Sequence, residues 1–190
     1  MKRLLLLLAI LPLGSCSLIF EAADISIRRS KEVSSTEQLQ GDGFTLRPPE
    51  AGLYPIRDLP LKGGLTLRPT ETIRDGLVYS VSPFKSSAAT TGAAAREWLA
   101  IWTKSGASVD VLETTSRTFA GRQATRCLVE IRKGREQHFA MFLAVKRDQD
   151  FLMLFHGNGN RWNHSRDRMI AACRKDFQKL LDATRLTPVR

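Results

Sequence analysis

"TFAGRQATRCLVEIRKGREQHFAMFLAVKRDQDFLMLF", residues 118–155, holds three apolar runs separated by two short charged turns. In the first run Cys127, Val129 and Ile131 fall on one side of an alternating pattern, with Arg126, Glu130 and Arg132 on the other. In the second, Phe139, Met141, Leu143 and Val145 share a side. A period of two marks strands, whose successive side chains point to opposite faces. "KGRE" and "RDQD" are too short for a crossover connection, so the three strands form an antiparallel meander. The last run, "FLMLF" at 151–155, is apolar throughout, which predicts a central strand covered on both faces.

Outward from the meander the period changes. In "AAAREWLAIWTKSG", Ala95, Trp98, Leu99 and Trp102 recur at helical spacing, so the two tryptophans are core residues. Thr90 or Thr91 can cap this helix and Gly106 stops it. A strand at "GLVYSVSPF" precedes it, closed by Pro83, and a loosely alternating strand, "SVDVLETTSRTF" (108–119), follows. A second helix is predicted near Ser165–Asp182, capped by Ser165, with Asp167 in its first turn and a stripe of Ile170, Cys173, Phe177 and Leu180. Strands in a run with two separated helices give an α+β domain, an antiparallel sheet packed by two main helices. Ahead of these elements, "GFTLRPPE" (43–50) and "GLTLRPTE" (64–71) agree at six of eight positions. Each reads as a brief strand stopped by proline, at a sheet edge or as a hairpin arm.

The helix "T…EWLAIW…G", the phrase "TFAGRQATRCLVE", the meander and the amphipathic C-terminal helix together resemble the PsbP-like/DcrB-like family over residues 75–183. The segment Ala120–Ala124, "AGRQA", carries most of that likeness. The resemblance implies an assembly or interaction factor, a non-catalytic protein-binding module with no cofactor.

The N-terminus sets the expected compartment. Lys2 and Arg3 precede an apolar run, Leu4 to Leu13, which is too short to span a bilayer and has the form of a secretory leader. Leu13-Gly14-Ser15-Cys16 resembles the bacterial lipobox, in which the cysteine is acylated and becomes the new N-terminus. The chain then divides into a signal peptide (1–15), a lipidated Cys16 with a polar tether (16–42) and one α+β domain (43–190). A short strand at Asp24–Arg28 is possible within the tether. Ser17, where an Asp would favour inner-membrane retention, points to an outer-membrane lipoprotein facing the periplasm, with the inner membrane still open. Disulfides persist in that compartment. Cys127 points inward from its strand and Cys173 lies on the sheet-facing stripe, so a Cys127–Cys173 disulfide is expected.

Loss of residues 1–15 leaves 27 basic residues against 19 acidic, a net charge of about +8. The basic residues are scattered singly, the pattern of a cationic surface and not of a nucleic-acid groove. Membrane contact is expected through the lipid, and a protein partner in the envelope through the domain. Hydrolase, zinc-protease and nucleotide-binding signatures are missing from the chain. Ser82-Pro-Phe-Lys85 echoes a penicillin-binding motif, but the serine ends a strand where that chemistry needs it to open a helix. The remaining unusual stretch, "FHGNGNRWNHSRDR" (155–168), leads into a helix N-terminus and holds His156, Asn158, Asn160, Arg161, Trp162 and His164. Those six are the candidate contacts for a partner or ligand, with no catalytic or metal-ligating assignment made. Two other functions stay open: an immunity protein neutralising an envelope-acting type VI secretion toxin, and an enzyme or ligand or metal sensor working at the 156–164 loop.

Overall fold

The computed structural model describes residues 31–58, 60–69, 77–134, 136–158 and 164–188. Cys16 and the possible strand at Asp24–Arg28 lie outside the described residues. The described strands are β1 (Leu39–Gly41), β2 (Phe44–Leu46), β3 (Leu53–Arg57), β4 (Leu65–Pro69), β5 (Val78–Phe84), β6 (Ser108–Phe119), β7 (Arg122–Lys133), β8 (Glu136–Lys146), β9 (Phe151–Asn158) and β10 (Thr184–Leu186). Helices α1 (Thr91–Lys104) and α2 (Arg166–Ala183) complete the α+β fold.

Strands β6 to β9 run as the antiparallel meander, and β9 pairs on its other side with β5. The large sheet has the order β3-β4-β5-β9-β8-β7-β6, so the strand that carries the unbroken apolar run 151–155 sits at its middle. Leu152 and Leu154 of β9 enter the core beneath α2, while Phe151, Met153 and Phe155 enter the core beneath α1. The two helices therefore cover opposite faces, and residues 151–155, buried on both, are apolar at every position. At the β6–β7 turn Ala120 and Gly121 take φ of 48° and 77°. Two consecutive positive φ values make a turn whose twist matches that of the flanking strands, which is why "AGRQA" opens a long, regular hairpin.

Both helices begin where the sequence places their caps. Ala93 N donates to Thr90 Oγ1 (3.2 Å), and Arg168 N to Ser165 Oγ (3.4 Å). Helix α1 buries Ala94, Ala95, Trp98 and Leu99, and Trp102 stacks on Phe155 at 5.4 Å. Helix α2 buries Met169, Cys173, Phe177, Leu180 and Leu181, one residue off the expected Ile170 at its start.

The opposite placement of the helices overturns the expected disulfide. Cys127 belongs to the α1-side core and Cys173 to the α2-side core, and both thiols are free and buried. The Cys127 side chain leaves the sheet on the face away from α2, so its thiol is turned from Cys173 and lacks the convergent geometry a disulfide needs. Both side chains do point inward, but a sheet covered twice has two insides.

The proline-containing echo separates into two sheets. Strand β2 is the middle of a three-stranded sheet, β1-β2-β10, and β4 is the second strand of the large one. Each is the second arm of a hairpin and neither is an edge. Strand β5 also continues through Pro83, because its pairing with β4 ends at Val81 and no ladder partner on that side loses a donor. The compact part starts ahead of residue 43, since Val33 and Leu39 are buried in the α2-side core. Arg147, itself buried, joins the sheets: it pairs with Asp150 in the β8–β9 turn and donates to Asp42 O at 2.8 Å.

Candidate functional site

The 156–164 stretch divides at its first residue. His156 is still part of β9 and fully buried, its ring stacked on Tyr79 at a centroid distance of 4.8 Å. Its Nδ1 lies 3.0 Å from Val78 O and donates to that carbonyl. Burial pushes the imidazole down to about 4, against the opposing pull of Asp176, so it is neutral near pH 7. Asn158, at the end of β9, donates from Nδ2 to Met169 O (3.0 Å) and ties the strand to the first turn of α2. His164 is exposed, immediately before the cap Ser165. Asn160, Arg161 and Trp162 lie outside the described residues. His156 and Asn158 thus have structural partners, and they do not converge with His164. Among the described residues no three of His, Cys, Asp or Glu are placed to hold a metal ion.

The cysteines are equally enclosed. Burial pushes the Cys173 thiol up to about 12, helped by Asp176, and raises that of Cys127 as well. Neutral, solvent-excluded thiols are poor nucleophiles and poor ligands.

The surface with binding character lies elsewhere, along β6. This strand is the outer edge of the large sheet and is twelve residues long. Val111 and Leu112, 51% and 36% exposed, are its apolar residues in solvent, and large hydrophobics elsewhere among the described residues are at least partly covered. A bulge between Val111 and Glu113 reverses the alternation at that point. The opposite edge, β3, is closed by comparison. Val33 N donates to Leu53 O (3.0 Å), Glu32 Oε1 accepts from Gly52 N (2.9 Å), and Pro55 carries no N–H to offer.

Charges are organised along β6 on the α2 side. Glu113 accepts from Arg126 (2.7 Å) and from Arg174 of α2 (2.8 Å). Asp110 pairs with Arg132 at 3.3 Å, and Arg132 in turn pairs with the buried Glu130. Glu130 also accepts from Gln137 (2.6 Å) and Arg166 (3.2 Å). Burial alone would raise its carboxyl, but these donors outweigh it and hold it below the ordinary range. Arg117 is exposed and makes no ion pair among the described residues. The sequence hides this surface because strand 108–119 has no continuous apolar face: the bulge at Leu112 breaks its period. The available signal is the run Val109, Val111, Leu112, in which the alternation fails.

No family model matches the chain, and no curated protein matches it in sequence. Among solved structures it is similar to the solution structure of cyanobacterial PsbP (CyanoP) from Synechocystis sp. PCC 6803, with a TM-score of 0.56 and 11% identity. The match covers 81% of this chain and 94% of that one. At that identity the likeness concerns the fold: the two-helix, antiparallel α+β architecture implied by the sequence resemblance is a PsbP-like one.

Proposed function

We propose that the chain is a lipid-anchored protein of the bacterial envelope that binds another protein and catalyses no reaction. The observation that carries the binding half is the open edge of β6, with Val111 and Leu112 in solvent while the β3 edge is closed. Long unpaired edges are templates for strand addition, and soluble proteins ordinarily blunt them. His156 and the two buried thiols favour the same reading, since burial holds them neutral and away from solvent. The anchoring half rests on Leu13-Gly14-Ser15-Cys16 behind a leader-like apolar run.

Crosslinking in intact cells, followed by isolation of the full chain and mass spectrometry, tests both halves together. The expected product begins at an acylated Cys16 and carries a crosslinked protein that is lost in a Val111→Lys/Leu112→Lys double variant of unchanged melting temperature. An intact Met1 overturns the anchor. A crosslinked protein retained by the double variant overturns the edge as the binding surface.

A further inference from the structure

We infer that the partner of the β6 edge is the β6 edge of a second copy of this chain, paired antiparallel about a two-fold axis at Thr115. The inference rests on the reading of this edge as a protein-binding surface and names its occupant.

The argument starts from five residues, Glu113-Thr114-Thr115-Ser116-Arg117. Read in reverse, the segment places base against acid and hydroxyl against hydroxyl. That matters only if the matched residues share a face, and they do. Glu113, Thr115 and Arg117 lie opposite Leu128, Arg126 and Ala124 of β7. Leu128 and Ala124 belong to the α2-side core, and Arg126 reaches Glu113 on that same side. A two-fold axis normal to the sheet keeps the α2 face on the α2 face. With Thr115 on the axis, Glu113 of each copy stands across from Arg117 of the other. Directly opposed unlike charges stabilise an antiparallel pair and like charges oppose it. A parallel pairing in the same register would set Glu113 beside Glu113 and Arg117 beside Arg117.

Two further observations fit this occupant. Arg117 is exposed with no ion-pair partner among the described residues, whereas Glu113 already holds two arginines, so the unmatched charge at this edge is a cation awaiting an acid. The bulge at Leu112 reverses the facing of side chains, which confines unbroken pairing about Thr115 to Glu113–Arg117, the five residues whose charges and hydroxyls match. In the two-fold register Leu112 and Val111 then fall beside Thr118 and Phe119 of the second copy. Val111 faces the α1 side with Val129 whereas Phe119 faces the α2 side, so the matched pairing is that of Glu113 to Arg117.

The test places a photoreactive side chain at Ser116, an exposed position next to the axis, in the full chain within its native membranes. The expected result is an adduct of the chain with itself, linked between residues of β6. Arg117→Glu should reduce it about tenfold, because two attractive cross-strand pairs become repulsive ones. The same substitution should leave the melting temperature unchanged, since Arg117 makes no internal ion pair. The same probe at Arg57, on the closed β3 edge, should give no self-adduct. A Ser116 adduct with a different protein overturns the self-pairing and leaves the protein-binding reading standing. No adduct at all overturns both. A self-adduct that Arg117→Glu leaves unchanged overturns the proposed register.

Discussion

The two faces of the large sheet are built from different chemistry. Beneath α1 the core is apolar and aromatic: Phe84 meets Trp98 edge-on at 5.3 Å, Trp102 stacks on Phe155, and the shifted titratable group there is Cys127 alone. Beneath and beside α2 lie Tyr79, Glu130, His156, Cys173 and Lys179, every other group whose ionisation is displaced among the described residues. The helices account for the difference. Helix α1, "TGAAAREWLAIWTK", closes on the sheet with small and aromatic residues. Helix α2 carries Arg166, Arg174 and Lys179, which reach Glu130, Glu113 and Glu50 at three separate points. One face is held by packing, the other by packing plus ion pairs. In the acid range stability should therefore depend on pH through the α2 face, because the raised Cys127 thiol on the other face stays protonated there.

The bluntest way to break the comparison is to remove packing from each side in turn. Phe177→Ala, under α2, should cost about 3–5 kcal/mol, and Leu99→Ala, under α1 and slightly more exposed, about 2–3 kcal/mol. Urea unfolding midpoints measure both. The α1-side loss should be equal at neutral and acid pH, because the displaced group of that core, the raised Cys127 thiol, stays protonated throughout.

Much of this division can be read from the sequence, and the part that cannot has a definite cause. The meander and the gross class follow from periods of two and of 3.6, the central place of β9 from the unbroken apolar run 151–155, and the helix starts from Thr90 and Ser165. What the periods leave open is which face each element takes. Cys127 and Cys173 both carry the pattern of inward residues, yet one pairs across from Phe142 on the α1 side and the other packs under α2. An alternating strand states that its two sides differ, not which helix will lie on either. The small sheet escapes for another reason, since strands of three residues such as β1, β2 and β10 are too short to show a period. His156 looks like a loop residue because Gly157 and Gly159 follow it. In the structure β9 runs on to Asn158 and carries the imidazole into the core.

That imidazole should dominate the pH dependence. An unfolded histidine titrates near 6.5, while the folded His156 takes up its proton only near 4. As pH falls between those values the unfolded chain gains a proton that the folded chain does not, so stability declines across that window and levels off below it. The full loss is up to about 3 kcal/mol, from 1.36 kcal/mol per unit of displacement. His156→Phe preserves a ring against Tyr79 and should flatten the unfolding midpoint between about pH 6.5 and about pH 4, whatever its cost at neutral pH. A slope unchanged by that substitution would place the titrating group elsewhere.

Glu130 sharpens the comparison at a smaller scale and with a different window. Its carboxylate is 1% exposed and receives Arg132, Gln137 and Arg166, but both arginine side chains are 52% exposed and return to water readily when the carboxylate is neutralised. Glu130→Gln should therefore cost only about 1–2 kcal/mol near neutral pH, the lower part of the range for hydrogen bonds to a charged group. Because the folded carboxyl lies below its ordinary value of 4.5, its contribution is complete above that pH and disappears as pH falls through the folded value. The gap between wild type and Glu130→Gln should close below pH 4.5, after the His156 loss is largely spent. The two substitutions thus separate two acid transitions on one face. Glu130 and Glu113 anchor the first and third turns of α2 to the outer strands of the sheet. Weakening the Glu130 anchor should loosen amide protection in β6 and β7 before it loosens β9, because the central strand is held from both sides and the open edge from one.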